Sequence, residues 1–297
     1  MIICRAKLRV NYQFTNLVEK VDCRHSPVGR KLIYSQPPTA YRLLPAIFEG
    51  MRYFFEISYN GQHYHGWQNQ ANAIGVQQVV EDALSKLMRD KVEIVGSGRT
   101  DSGVHCAQQF FHADFKNELK TEDLVHRLNS FLPRDIAIHS IKKVKDDAHA
   151  RYDARERAYE YRITTKKDPL LVGYSYHFFK PLDVELMNRA AKHLLGKHDF
   201  TSFSKVNTDV NHFVCDIKKA KWSKKKDLLV FEIAANRFLR GMVRAIVGTL
   251  LDVGTRKISI HDFQEIIKGK DRKKAGMNVP AEGLFLVKVS YRKSILL

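Results

Sequence analysis

Between two apolar runs the chain reads Gly96-Ser97-Gly98-Arg99-Thr100-Asp101-Ser102-Gly103-Val104-His105. Glycine tolerates positive φ and lets another backbone approach closely, so this spacing can hold a carboxylate at the tip of a tight loop where a substrate reaches it. An aspartate so placed can act as a nucleophile or as a general base. The same composition also suits an ordinary glycine-rich turn with an Arg–Asp surface pair, and the residues alone leave both readings open. His63, His65, His105, Cys106 and His112 form a second group of chemical interest. Their spacing contains neither HExxH nor CxxC, and alternation along a strand turns neighbouring side chains to opposite faces. That counts against a zinc hydrolase. No GxGxxG or P-loop pattern occurs, so neither a metal nor a cofactor is expected.

Positioning these residues requires a scaffold, and the hydrophobic pattern outlines one. Tyr53, Phe55, Ile57 and Tyr59 alternate as in a strand, followed by an Asn60-Gly61 turn. Val76, Val79, Val80, Ala83, Leu84 and Leu87 have helical spacing. Val92 to Val95 and Val104 to Phe115 read as strands. A helix opens at Thr121-Glu122-Asp123, with Thr121 at its cap, and ends before Pro133. Ile136 to Val144 and Ala158 to Thr164 follow as strands. The second half predicts a helix from Val184 to Leu195 closed by Gly196, and paired strands Val214 to Trp222 and Leu228 to Ala234. A strongly apolar helix from Phe238 to Val253 and a last strand from Leu284 to Val289 complete it. This order predicts an α+β protein of two similar halves, 51–155 and 156–297, whose antiparallel sheets join into one extended sheet with helices packed on it.

The 297 residues carry 50 Lys and Arg against 32 Asp and Glu, a net charge of +18. That balance suits a polyanionic partner, because neutralising phosphates releases counterions. No segment reaches the roughly 18 apolar residues of a spanning helix, so no membrane partner is expected. Cys4, Cys23, Cys106 and Cys215 show no framework spacing and fit a reducing, cytoplasmic location. Residues 1–50 lack sustained periodicity and read as an appendage. It is either a basic, acid-poor leader or a start assigned upstream of the natural beginning at Met51; the absence of an amphipathic period favours the second.

The loop around Asp101 resembles the GRTDAGVH motif of TruA-type tRNA pseudouridine synthases, with Ser102 where alanine is usual. Five further blocks follow that family's order. Tyr59 to Gln68 resembles YDGxxYxGWQ, with Asn60 in place of Asp. His149-Ala150-Arg151-Tyr152 with Tyr159-Glu160-Tyr161 is similar to HARF…YxY. His198 to Phe203, Phe238 to Gly248 and Glu282 to Leu286 are similar to the remaining blocks. The resemblance implies the pseudouridine synthase fold and an isomerase that works without a cofactor. It breaks the N1–C1′ bond of uridine, turns the base and rejoins it through C5. Asp101 then stands for the catalytic carboxylate, by attack on C1′ or by proton removal to a glycal. Tyr159 stands for the tyrosine that packs on the flipped uracil and helps remove the C5 proton. Arg244 stands for the basic partner of the aspartate. Arg99 and Gln68 are implied substrate contacts, with Gln70, Arg237, Arg240 and Lys205 as further RNA contacts and Leu284 closing the pocket. The implied partner is the anticodon stem-loop of tRNA, at positions 38 to 40, bound by a homodimer. An RNA-binding chaperone of the same fold that has lost catalysis is the alternative; the presence of Asp101, Tyr159 and Arg244 together argues against it.

Overall fold

The computed structural model describes residues 50–205 and 212–297. The expected appendage therefore lies, apart from Gly50, outside the described residues, as do Cys4 and Cys23. Cys106 and Cys215 are buried free thiols.

Ten strands and five helices make up the described fold. In chain order they are β1 (Met51–Tyr59), α1 (Val76–Met88), β2 (Val95–Gly96), β3 (His105–Phe115), α2 (Thr121–Phe131), β4 (Ile136–Lys143) and β5 (Glu156–Thr164). These are followed by β6 (Tyr176–His177), α3 (Val184–Ala191), β7 (Gly196–Asp199), β8 (Val214–Lys225), β9 (Leu228–Ala235), α4 (Met242–Gly254), α5 (Ile260–Gly269) and β10 (Leu284–Ser290). The main sheet order is β4-β1-β3-β10-β5-β9-β8-β7, with β2 pairing β3 and β6 pairing β5. The expectation of one extended sheet holds. Its pairing is mostly antiparallel, but β10 runs parallel to β3 and β6 parallel to β5.

Local expectations fail where tertiary contacts override pattern. The apolar helix begins at Met242, four residues later than predicted, because Gly241 takes a left-handed conformation at its start. The helix predicted to reach Leu195 ends at Ala191 and continues as one 3-10 turn; Gly196 opens β7 instead of closing a helix. Lys120, not Thr121, occupies the cap of α2, and no side chain caps it. Val92 and Ile94 are buried, yet only Val95–Gly96 pairs as a strand. Helix α5 was not expected. Its signal was the capping box of Ser259 and Asp262, easily missed because only Phe263, Ile266 and Ile267 bury its inner face.

Helices cover one face of the sheet in two groups. Helices α1 and α2 bury Val80, Leu84, Leu124 and Leu128 against Phe55, Ile57 and Phe111, and Leu286 joins that core from the far end of the chain. Helices α3, α4 and α5 bury Met187, Ile246, Leu250 and Phe263 against Tyr161, Phe231 and Trp222. Tyr159 borders both cores. Helix α4 is apolar almost all round, as expected of a helix wrapped by its own protein. Its Gly248 is required by contact: a Cβ there would lie 1.9 Å from the Met277 carbonyl oxygen. The 276–280 segment can therefore cross the helix closely, with the Gly276 N–H donating to Thr249 Oγ1 at 2.9 Å.

On the opposite face a third, smaller core packs Phe54, Val144, Ala148 and Ala150. His112 lies there, with Nδ1 accepting the Ala150 N–H at 3.1 Å. Burial, reinforced by the nearby Arg52 charge, pushes its pKa down to about 4. An unfolded histidine titrates near 6.5, so between about 6.5 and 4 the unfolded chain holds a proton that the folded chain refuses. Stability contributed by neutral His112 is thus full above about pH 6.5 and lost as pH falls toward 4. His112→Asn keeps an acceptor for the Ala150 N–H without a titrating ring. Urea denaturation at pH 7.5 and 4.5 should show a smaller loss of stability for this variant than for the parent; an unchanged pH dependence would exclude His112 as a source of it.

Candidate active site

The loop after β2 is bolted to the sheet before it reaches Asp101. The Ser97 N–H donates to the Phe110 carbonyl at 2.7 Å. Buried Thr100 shares a hydrogen bond with the Tyr59 hydroxyl at 2.8 Å, and Tyr59 donates on to Gln109 at 3.3 Å. Gln109, fully buried, donates to the Gly98 carbonyl at 3.2 Å. The Trp67 N–H donates to the Thr100 carbonyl, and the Gly103 N–H to that of Tyr64. Gly66 makes this approach possible: its φ is +89°, and a Cβ would sit 2.3 Å from the Thr100 carbonyl oxygen. The backbone on both sides of Asp101 is thus fixed, while the carboxylate keeps 27% of its surface open.

Arg244 supplies the facing charge. It lies in the first turn of α4, where the helix dipole disfavours a cation, and it is one of the few residues of that helix not buried. Its Nε donates to the Val279 carbonyl at 2.7 Å, so the guanidinium is aimed by the segment that crosses Gly248. Its Nη1 lies 3.8 Å from Asp101 Oδ2. A charge-assisted hydrogen bond would be about 2.7–2.9 Å. At the longer distance the pair attracts without occupying the carboxylate's lone pairs, which remain available to a substrate.

Tyr159 reaches the same seam along the sheet. It pairs with Leu286 of β10 on one side and Ile233 of β9 on the other, and Leu286 pairs with Cys106 of β3. The ring meets Phe238 edge-on with centroids 5.1 Å apart. Burial raises the phenol pKa well above its ordinary value, and the negative charge of Asp101 adds to the rise against an opposing effect of Arg157. The environment therefore holds the Tyr159 hydroxyl proton more tightly than that of an ordinary phenol.

The remaining candidates lie on several separate segments. Arg99, Gln68 and Gln70 are exposed, and the Gln70 amide donates to the His65 carbonyl at 2.7 Å. Lys205 and Arg240 are exposed just ahead of α4, joined through the Lys205 N–H and the Arg240 carbonyl; Arg237 Nη1 lies 3.2 Å from His212. Leu284 opens β10 opposite Tyr161 and is only 5% exposed. Of the histidines, His105 is buried, with Nδ1 accepting the Gly61 N–H and Nε2 against the Gly173 carbonyl. Burial lowers its pKa. His63 and His65 are exposed, and among the described residues no three His, Cys, Asp or Glu side chains converge on a metal position.

Comparison with known proteins shows the family to which the chain belongs. A family model described as tRNA pseudouridine synthase matches residues 57–153 and 190–292. A tRNA pseudouridine synthase A of Bacteroides fragilis is 47% identical over 246 residues, 82% of this chain and 98% of that protein. Those of Porphyromonas gingivalis and Parabacteroides distasonis are 48% and 49% identical, over 83% and 82% of this chain and 99% and 97% of theirs. The chain belongs to the tRNA pseudouridine synthase family.

Asp101 and Arg244 of this pseudouridine synthase lie inside the two matched segments, whereas Tyr159 falls between them. So does the residue that sequence reasoning passed over. Arg157 stands on the same face of β5 as Tyr159, two residues earlier. Its Nη2 donates to the carbonyls of Ser97, at 2.7 Å, and Arg151, at 2.8 Å. Its Nη1 donates to those of Ala154 and Asn236, each at 3.0 Å. No carboxylate pairs with it among the described residues, and burial lowers its pKa. Four carbonyls from three separate segments take the place of a counter-ion, and one is the root of the Asp101 loop. No motif marks this role, because every partner is backbone. Arg157→Ala should cost about 3 kcal/mol of stability, since hydrogen bonds to a charged group are worth about 1.5–3 kcal/mol. Amide exchange over residues 97–101 should quicken in the same variant, with Arg157→Lys intermediate. Unchanged exchange there would rule out Arg157 as the clamp.

Proposed function

We propose that this chain isomerises uridine to pseudouridine in tRNA, with Asp101 as the catalytic carboxylate. The observation that carries the reading is the partly exposed Asp101 carboxylate held 3.8 Å from the Arg244 guanidinium within the family's matched segments. The carboxylate either attacks C1′ as uracil N1 departs, or removes a sugar proton to leave a glycal; in both cases the freed base turns and C5 bonds to C1′. Arg244 attracts the carboxylate across 3.8 Å and offers a donor to a phosphate.

A uracil must leave its stack before C1′ is reachable, and extrusion costs a few kcal/mol. Tyr159 provides a surface on which the base regains stacking. Its raised pKa favours a role as platform and hydrogen-bond donor over one in which a phenolate accepts the C5 proton. Arg99, Gln68 and the basic Lys205, Arg237 and Arg240 are suited to the RNA backbone, and Leu284 offers an apolar floor. The anticodon stem-loop at positions 38 to 40 as target, a homodimeric assembly and a cytoplasmic location belong to the same reading. The charge of +18 is consistent with the polyanion, and no helix among the described residues is long and apolar enough to cross a membrane.

Asp101→Asn is nearly isosteric and removes the charge that chemistry needs, while binding rests on many phosphate contacts. Tritium release from [5-³H]uridine tRNA should fall at least a thousandfold, on the order expected for loss of a catalytic nucleophile, with tRNA affinity changed by less than about threefold. Release near the parent rate would sink the assignment. Tyr159→Phe and Tyr159→Ala separate platform from hydroxyl. With tRNA carrying 5-fluorouridine at the target, Ala should impair formation of the complex and Phe should form it but slow a later step. Identical failure of both at complex formation would give the hydroxyl a part in capturing the base.

A further inference from the structure

The turn 149–154 carries an exposed aromatic side chain at the end of a column that begins in the core. Buried Phe54 stacks on His112, with ring centroids 6.1 Å apart; His112 meets His149 at 4.8 Å; His149 meets Tyr152 at 4.2 Å. Tyr152, the last ring, is 75% exposed. The turn beneath it is held tightly. His149 Nδ1 accepts the N–H groups of Arg151 and Tyr152 at 3.1 and 3.3 Å, and the His149 N–H donates to Asp153 at 2.6 Å. A large aromatic ring left in water on a rigid turn loses little conformational freedom when something flat settles on it. The Arg151 guanidinium sits 5.9 Å from the ring centroid, at the outer limit of a cation–π contact. It is close enough to meet a phosphate beside a stacked base without covering the ring.

This turn is mechanically joined to the Asp101 loop. A single nitrogen, Arg157 Nη2, bridges the carbonyls of Ser97 and Arg151. Ser97 precedes Asp101 by four residues and Arg151 precedes Tyr152 by one, so the two Cα atoms are at most about 30 Å apart. One strand of a nucleic-acid helix, at roughly 3.4 Å per nucleotide, covers that length in under about ten nucleotides.

We infer that Tyr152 and Arg151 form a second RNA subsite, on which an unpaired base near the target uridine stacks while Arg151 meets its phosphate. The inference rests on the proposed activity toward tRNA. Aromatic rings and guanidinium planes are the surfaces on which splayed RNA bases settle, and the arginine and the strongly positive chain match the charge of the RNA backbone.

The test uses the full chain and an anticodon stem-loop RNA with 2-aminopurine placed in turn at each position within ten nucleotides of the target. The parent should quench the label at one or two positions, and Tyr152→Ala should lose that quenching. Its affinity should weaken about tenfold, within the range for removal of one stacked base, with kcat at saturating RNA little changed. Tyr152→Phe and Tyr152→Trp should match the parent, whereas Tyr152→Leu should behave like Ala. Parent-like quenching and affinity in Tyr152→Ala would overturn the inference. So would parent-like behaviour of Tyr152→Leu, which would make the contact simple apolar packing, or an effect on self-association in place of RNA affinity. If the parent binds and quenches but releases no tritium from [5-³H]uridine tRNA, the proposed activity fails and the subsite stands.

Discussion

The insertion of β10 between β3 and β5 is the constraint on which the rest of the structure depends. This strand comes from the end of the chain, yet it pairs parallel with β3 and antiparallel with β5. It buries Leu286 and Val289 in the core under α1 and α2, and Leu284 in the core under α3, α4 and α5. Without it the strands of the two halves would have no common edge. The candidate active site lies at this seam: Asp101 hangs from the loop before β3, Tyr159 stands on β5, and Arg244 reaches over from α4. Contacts so distant in sequence carry a large loop-closure cost, so the site assembles only when the whole sheet does.

Around that seam the cations are held in ways that stability alone would not favour. Arg244 sits against the dipole of its own helix and lies 3.8 Å from a carboxylate, a distance that attracts without saturating it. Among the described residues Arg157 has no carboxylate partner, and its guanidinium donates to four backbone carbonyls. Removing either guanidinium would leave groups unpaired that the surrounding backbone has been shaped to present. The arrangement fixes the loop geometry while leaving the Asp101 carboxylate 27% exposed.

Rigidity and exposure are divided in the same way at the surface. Tyr159 meets Phe238 edge-on and is bordered by two cores, so its ring has little freedom to move. The 149–154 turn is likewise braced from below by His149 and His112. Neither element is a floppy loop awaiting order, and ordering entropy on binding would fall mainly on the partner.

Much of this was legible in the residues themselves. The glycines around Asp101 marked a loop, alternation marked β1, and the apolar run before Gly254 marked α4, because those signals depend on backbone freedom and burial within a few residues. The order of six motif blocks carried the family, and so the identity of Asp101, Tyr159 and Arg244 as candidates. The parallel pairing of β10 was not legible, since a lone apolar strand does not name its neighbours. Nor was helix α5, whose short buried face is nearly silent, nor the 3-10 ending of α3. Arg157 was the largest omission, and the reason is physical. Its partners are main-chain carbonyls, which every residue possesses, so no side-chain pattern could announce them; only the folded backbone brings the four oxygens to one guanidinium.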